Sequence, residues 1–76
     1  MAVTVVIDKA KPGIALSANE ATALKKVVAP YVEASNKKGK SGPHEFKDDR
    51  GNKRKVWIDV TKIDGKTIHI ELTDMK

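Results

Sequence analysis

The sequence predicts an α+β fold, in which one amphipathic helix packs on a mainly antiparallel sheet in the element order β-α-β-β-β. Two patterns support this prediction. One segment carries apolar residues at three- and four-residue spacings, and the segments before and after it alternate apolar and polar residues. We expect residues 1–76 to form a single domain. A core of this size stabilises a fold only marginally, and dimerisation is a common way in which small domains gain stability.

The first strand is predicted at Ala2–Asp8, where the odd-numbered residues from Val3 to Ile7 form one apolar face. A Pro-Gly pair at positions 12–13 indicates the turn that follows it. The chain is therefore free to reverse before the helix begins.

The helix is predicted to begin at Ser17, because Ser17 and Glu20 have the spacing of a capping box. Its apolar stripe is predicted to consist of Ala21, Leu24, Val27, Val28, Tyr31 and Ala34. Lys37 and Lys38 suit the negative end of the helix dipole, and Gly39 is expected to close the helix.

Pro30 lies inside this predicted helix and off its apolar stripe. A proline in a helix interior removes one hydrogen bond and clashes with the preceding turn, at a cost of about 3 kcal/mol. We therefore expect the helix to bend at Pro30 while the ring stays outside the core.

Three strands are predicted after the helix. Residues 39–43 are expected to form a flexible connector, and residues 44–48 a short strand. Residues 49–52 have the composition of a turn. Two stronger strands follow at 54–61 and 66–73, on either side of an Asp-Gly pair.

The register of the last hairpin is predicted by matching its apolar faces. A two-residue Asp-Gly turn sets apolar residues opposite polar ones on both faces, whereas a three-residue loop at 63–65 makes one face fully apolar. The three-residue loop pairs Val60 with Ile68, Ile58 with Ile70, and Val56 with Leu72. The polar face then carries the pairs Trp57–Glu71, Asp59–His69 and Thr61–Thr67.

Positive charge is concentrated in one segment. Residues 37–55 hold eight basic and three acidic residues, a net charge of +5 that equals that of the whole chain. Such a segment suits a polyanion such as double-stranded DNA, or it is a solvated loop that aids solubility. The candidate nucleic-acid-binding residues are Lys37, Lys38, Lys40, Lys47, Arg50, Lys53, Arg54 and Lys55. Asp48 and Asp49 would repel phosphate unless they pair with Arg54 and Lys55 across the hairpin.

No catalytic or metal-binding signature is present. His44 and His69 are the only histidines, and no nucleophile or acid at a suitable spacing surrounds either of them. The chain has no cysteine, no run long enough to span a membrane and no signal-like apolar segment. We expect a protein of the cytoplasm that is not an enzyme and has no cofactor, metal or membrane partner.

Trp57 is expected to point away from the helix, because Val56 and Ile58 point towards it. It would then stack on a base, anchor a protein interface, or lie flat over its sheet neighbours or Phe46. The candidate residues for an interface between two copies are Leu24, Val27, Val28, Tyr31 and Trp57.

The segment IALSANEATALKKVVAPYVEASNKKGK, residues 14–40, resembles the long helix of the Lsr family. The matching residues are Ile14, Leu16, Ser17, Ala21, Leu24, Lys25, Pro30, Tyr31, Val32, Ala34, Lys37 and Gly39. These are actinobacterial nucleoid-associated proteins that silence AT-rich DNA in the manner of H-NS, and the matching helix belongs to their dimerisation domain. The resemblance therefore implies dimerisation and a place in the nucleoid.

A second likeness involves the family's hairpin, which resembles IDGKTIHIELT at residues 63–73. In the family that hairpin precedes the helix, whereas here it follows, so the element order is rearranged. The family's separate C-terminal DNA-binding domain has no counterpart in these 76 residues. This departure weakens the implied DNA binding and leaves dimerisation or pairing with a partner helix.

Three functions remain compatible with the sequence. The first is a small homodimeric DNA-binding module of the nucleoid-associated type, which presents its basic segment to DNA. The second is a phage-type adaptor or inhibitor that binds a nucleoid protein through the helix. The third is a structural subunit of a larger assembly such as a virion.

Overall fold

A computed structural model describes residues 3–76 and confirms the α+β fold in the order β-α-β-β-β. Its elements are β1 Thr4–Ala10, α1 Ala18–Ser35, β2 Gly39–Lys47, β3 Lys53–Asp64 and β4 Thr67–Met75. The predicted first strand began at Ala2, which lies outside the described residues, and the observed strand extends two residues beyond its predicted end.

The four strands form one sheet in the order β1-β4-β3-β2. β3 pairs antiparallel with both of its neighbours, whereas β1 pairs in parallel with β4. β1 and β2 are therefore the two edges, and α1 crosses one face of the sheet between them. Among residues 3–76 no helix covers the other face, which we call the open face.

The core lies between α1 and the sheet. It consists of Val5, Leu24, Val28, Val32, Phe46, Val56, Ile58, Val60, Ile68, Ile70 and Leu72, all of them buried. The predicted helix stripe was partly wrong, because Val27 is 38% exposed and Tyr31 is 42% exposed, while Val32 is buried. Two apolar rows overlap on this helix, and the row whose members are four residues apart, Leu24, Val28 and Val32, faces the sheet.

The predicted start of the helix is confirmed. The Ser17 hydroxyl accepts the Glu20 amide at 3.1 Å, and the Glu20 carboxylate accepts the Ser17 amide at 3.0 Å. The helix runs unbroken through the exposed Pro30. It ends at Asn36, which adopts a left-handed conformation with φ 46°, and not at Gly39 as predicted. Asparagine tolerates this conformation, so the chain turns three residues earlier and frees Gly39 to begin β2.

The predicted register of the β3–β4 hairpin was wrong by two residues from Ile58 to Val60 and by three residues on either side of them. The turn is Gly65-Lys66, with Gly65 at φ 61°, and Thr61 forms a bulge that sets Val60 opposite Ile70. Positive φ at the first central residue suits a type II′ turn. A shift of two leaves a side chain on its predicted face, and across the bulge at Thr73 a shift of three does the same, so face matching alone cannot select between the two registers.

The register shift changes the neighbours on the open face. Asp59 lies opposite Glu71 rather than His69, and Trp57 lies opposite Asp74 rather than Glu71. The Asp59–His69 pair expected from the sequence is therefore absent, and two carboxylates face each other at the centre of the sheet.

β2 is longer than predicted, because the expected connector at 39–43 joins the expected short strand. Its pairing with β3 is interrupted between Ser41 and His44, where Gly42 has φ 139° and the Gly42–Pro43 peptide bond is cis. An edge strand tolerates proline, since one side of it needs no ladder hydrogen bonds. The turn predicted at 49–52 is confirmed.

Candidate nucleic-acid interface

The turn between β2 and β3 is held by the side chain of Asp48. One of its carboxylate oxygens accepts the amides of Arg50 and Asn52, both at 2.9 Å, and its carbonyl accepts the Gly51 amide at 3.0 Å. Asp48 therefore organises the turn. Arg50 is exposed within this fixed backbone.

Glu20 connects this turn to the start of the helix. Its second carboxylate oxygen accepts the Asp49 amide at 3.2 Å, in addition to the capping bond from Ser17. The Ser17 amide, and after it the Asp49 amide, lower the pKa of Glu20 below its ordinary value, because both donate to the charged carboxylate. The helix cap thus also positions the turn.

Arg54 is occupied within the fold. Its Nη1 lies 3.8 Å from an Asp48 oxygen, and its Nε donates to the Lys76 carbonyl at 3.1 Å. Arg54 lies on the same face of β3 as the core residue Val56, whereas its neighbours Lys53 and Lys55 lie on the open face. Arg54 therefore supports the turn and is not a free phosphate ligand. Its positive charge offsets the negative charge of Asp48, which would otherwise repel phosphate.

Four of the predicted residues come together near the β2–β3 turn. These residues, which we call the hairpin cluster, are Lys47, Arg50, Lys53 and Lys55. Lys47 lies directly opposite Lys53, and all four are exposed. Within residues 3–76, none of the four takes part in an ion pair. Their positive charge is thus available to an external anion.

Lys37, Lys38 and Lys40 form a separate group. They lie at the beginning of β2, where Gly39 pairs with Val60, whereas the hairpin cluster lies at the end, where Lys47 pairs with Lys53. Seven residues of β3 separate these two points, a distance of roughly 23 Å. This exceeds the Debye length of about 8–10 Å at ordinary salt, so Lys37 and Lys38 act largely independently of the hairpin cluster, whereas Lys40, opposite Asp59, lies nearer to it.

Lys76 is a basic residue that the sequence analysis missed. Its amide donates to the Lys55 carbonyl at 2.8 Å, and its carbonyl accepts the Lys55 amide at 3.1 Å, so it extends β4 beside the cluster. Its Nζ lies 5.7 Å from the centre of the Trp57 ring. Only the correct β3–β4 register could have brought this residue to the site.

Trp57 lies on the open face and is partly buried. Phe46 belongs to the core on the opposite face, so the interpretation in which Trp57 covers Phe46 is wrong. Trp57 packs instead against the backbone of Gly42, where an added Cβ would meet the indole Cδ1 at 2.8 Å. An open cleft of about 340 Å³ lies beside the ring and is lined by Lys40, Ser41, Gly42, Trp57, Thr73 and Asp74.

The predicted interface residues do not form one surface. Leu24 and Val28 have no exposed area, so the structure reassigns them from an interface to the core of the protomer. Val27 and Tyr31 are exposed on α1 and define what we call the helix patch. Trp57 lies on the open face, on the other side of the sheet from this patch.

Tyr31 makes an edge contact with His44, with ring centres 4.8 Å apart and an angle of 62° between the rings. The His44 Nε2 lies 3.1 Å from the Ser41 hydroxyl. Desolvation lowers the pKa of His44, because partial burial disfavours the charged ring. The helix patch is thus joined to the edge strand β2 by an aromatic pair.

His69 pairs with Asp8 of β1 and not with Asp59. Its Nδ1 lies 3.0 and 3.1 Å from the two carboxylate oxygens. Among residues 3–76, no three His, Cys, Asp or Glu side chains are grouped so that they could hold a metal ion. In the same part of the chain, no helix is long and apolar enough to cross a membrane.

Comparisons with protein-family models, with curated proteins and with solved structures found no match for this chain.

Proposed function

We propose that this protein is a small non-enzymatic DNA-binding module that acts as a homodimer and binds phosphates through the hairpin cluster. The observation that supports the proposal is the grouping of Lys47, Arg50, Lys53 and Lys55 on one organised turn, without ion pairs among the described residues. Such a role belongs in the cytoplasm, on the nucleoid.

The expected energetics are those of counterion release. Each phosphate neutralised on duplex DNA contributes roughly −0.9 to the slope of log affinity against log salt. Four cations per protomer therefore give a slope of up to roughly −3.6, and two protomers acting together up to roughly −7. Backbone contacts of this kind carry little base specificity, so we expect binding to depend little on the DNA sequence.

Titration of duplex DNA at two salt concentrations tests the proposal. We expect binding at the lower concentration that weakens steeply at the higher one. The double variant Lys53→Ala/Lys55→Ala should lower both the affinity and the salt slope. Lys37→Ala/Lys38→Ala removes the same charge about 23 Å away and should change both much less. Absence of binding at the lower salt concentration would refute the proposal.

The homodimer is proposed to form through the helix patch. Val27 and Tyr31 are the two large apolar side chains that the described part of the chain leaves exposed, and they lie on the helix that resembles a dimerisation helix. Size-exclusion chromatography with light scattering should give the mass of a dimer. Tyr31→Ala should shift it towards the monomer, whereas Thr22→Ala, on the exposed start of the helix, should not. A wild-type monomer at high concentration would refute this part of the proposal.

The helix patch also supports a second candidate, an adaptor that binds a nucleoid protein. In this function the patch pairs with the partner's own dimerisation helix in place of a second copy. Pull-down with a nucleoid protein of the Lsr family should recover the partner with the wild-type chain and less of it with Tyr31→Ala. Equal recovery by both chains would count against the adaptor.

A further inference from the structure

The open face of the sheet carries one large aromatic side chain, Trp57, at the middle of an inner strand. On the neighbouring strand β2, the position against its indole is Gly42, which has no side chain. An added Cβ there would lie 2.9 Å from the Trp57 Cα and 3.0 Å from its Cγ. Glycine therefore allows the backbone to support one edge of the indole while the cleft beside it stays open.

Two lysine side chains lie beside this cleft. Lys40 lines it, and the Lys76 Nζ lies 5.7 Å from the centre of the indole ring. A cation near an aromatic face is attracted by the electrons of the ring, so Lys76 is held beside the cleft. From Trp57 the cations Lys55 and Lys53 continue along β3 towards the turn, over four residues or roughly 13 Å.

Hydrogen-bonding groups line the remaining side of the cleft. The Thr73 hydroxyl donates to the Trp57 carbonyl at 3.2 Å, which leaves its lone pairs free to accept. One Asp74 oxygen accepts the Met75 amide at 2.9 Å, and its carboxylate is otherwise exposed. Carboxylates accept from the exocyclic amino groups of bases, of which cytosine N4 is an example.

An aromatic ring, a line of cations and polar groups at the rim together match a single-stranded nucleic acid. Unpaired bases expose their faces for stacking, whereas bases in a duplex are covered by their neighbours. We propose that the Trp57 cleft receives one unpaired base, stacked on the indole, while Lys53, Lys55 and Lys76 bind the adjoining phosphates. This inference rests on the proposed nucleic-acid-binding function and deepens it, because it predicts a preference for single strands.

Fluorescence tests this directly, because Trp57 is the only tryptophan of the chain. We expect a single-stranded deoxycytidine oligomer to quench the emission as it binds, and inorganic polyphosphate to bind without comparable quenching. A duplex of equal length should bind, as followed by the anisotropy of a labelled strand, with little quenching. Equal quenching by polyphosphate and by the single strand would overturn the inference.

Two variants separate the contribution of ring stacking from that of side-chain volume. Trp57→Leu keeps an apolar side chain but cannot stack, and it should weaken single-strand binding roughly ten- to hundredfold. Trp57→Phe keeps a ring and should lose less. Circular dichroism and thermal unfolding identify any variant that fails to fold, and the quenching experiment on the wild type needs no variant.

The outcomes distinguish this inference from the proposed function. If duplex and single strand bind equally and Trp57→Leu changes neither, the stacking site is refuted while the DNA-binding module stands. If neither form binds at low salt, both are refuted. If the single strand binds more tightly and Trp57→Leu abolishes that preference, both are supported.

Discussion

Replacement of Gly42 by alanine is expected to destabilise the fold by about 3 kcal/mol, as the combined result of two effects. Gly42 has φ 139°, a conformation that side-chain-bearing residues adopt at a cost of roughly 1–3 kcal/mol. The new Cβ would also lie 2.8 Å from the Trp57 Cδ1 and 2.9 Å from its Cα. Because the Cα belongs to the backbone of an inner strand, it cannot move aside cheaply, and overpacking adds roughly another 1–3 kcal/mol.

Gly39→Ala is the matched control. Gly39 has φ 132°, but an added Cβ there would meet nothing within 4 Å. It should therefore show the conformational cost alone, and the difference between the two variants, roughly 1.5 kcal/mol, measures the contact with Trp57. Urea unfolding followed by circular dichroism gives both values. Equal destabilisation by the two substitutions would show that Gly42 does not support the indole, and would refute the reasoning.

Further predictions concern the helix and its contacts. Val32→Ala should cost about 2 kcal/mol in unfolding free energy because Val32 is buried, whereas Val27→Ala, measured at a dilution at which the chain is a monomer, should cost less than about 0.5 kcal/mol; similar costs would contradict the assigned core row. Ser17→Ala should cost about 1 kcal/mol, measured by the same method, because it removes the acceptor for the Glu20 amide. The pKa of His44 is lowered in the folded state, so its contribution to stability is present above the unfolded pKa of about 6.5 and is lost as the pH falls through the folded pKa. His44→Gln should therefore flatten the decline of melting temperature below pH 6.5, and an unchanged decline would exclude His44 as its source.

The sequence allowed the element order and the faces to be predicted because both depend on local signals. The capping box at Ser17 and the alternation along β3 each act over a few residues, and the structure contains both. The helix stripe was only partly predictable, since the apolar rows through Val27 and Val32 overlap. Which row faces the sheet is decided by the strands, and periodicity does not encode their placement.

The candidate site was less predictable, because it depends on register and on distance. Eight basic residues look continuous in the sequence, yet β2 separates Lys37 and Lys38 from the hairpin cluster by most of its length. Lys76 joins the site only through its pairing with Lys55, a register that the two-residue turn at Gly65-Lys66 sets. Between the turn and this pair, bulges at Thr61 and Thr73 on opposite strands shift the register by one residue and then restore it. A bulge changes register by one residue without an apolar signature, so pattern matching does not detect it.

The open face is electrically divided, and this division limits where a nucleic acid is able to lie. One cross-strand row of the sheet reads Lys40, Asp59, Glu71 and Lys9, so two carboxylates occupy its centre. Like charges on directly opposite residues repel each other and also any phosphate that approaches them. Trp57 stands between this row and the cluster at the turn. A nucleic-acid strand whose phosphates follow the cations would therefore end near the indole. Trp57 then marks the end of a short binding site, and its ring lies where the next base would stack.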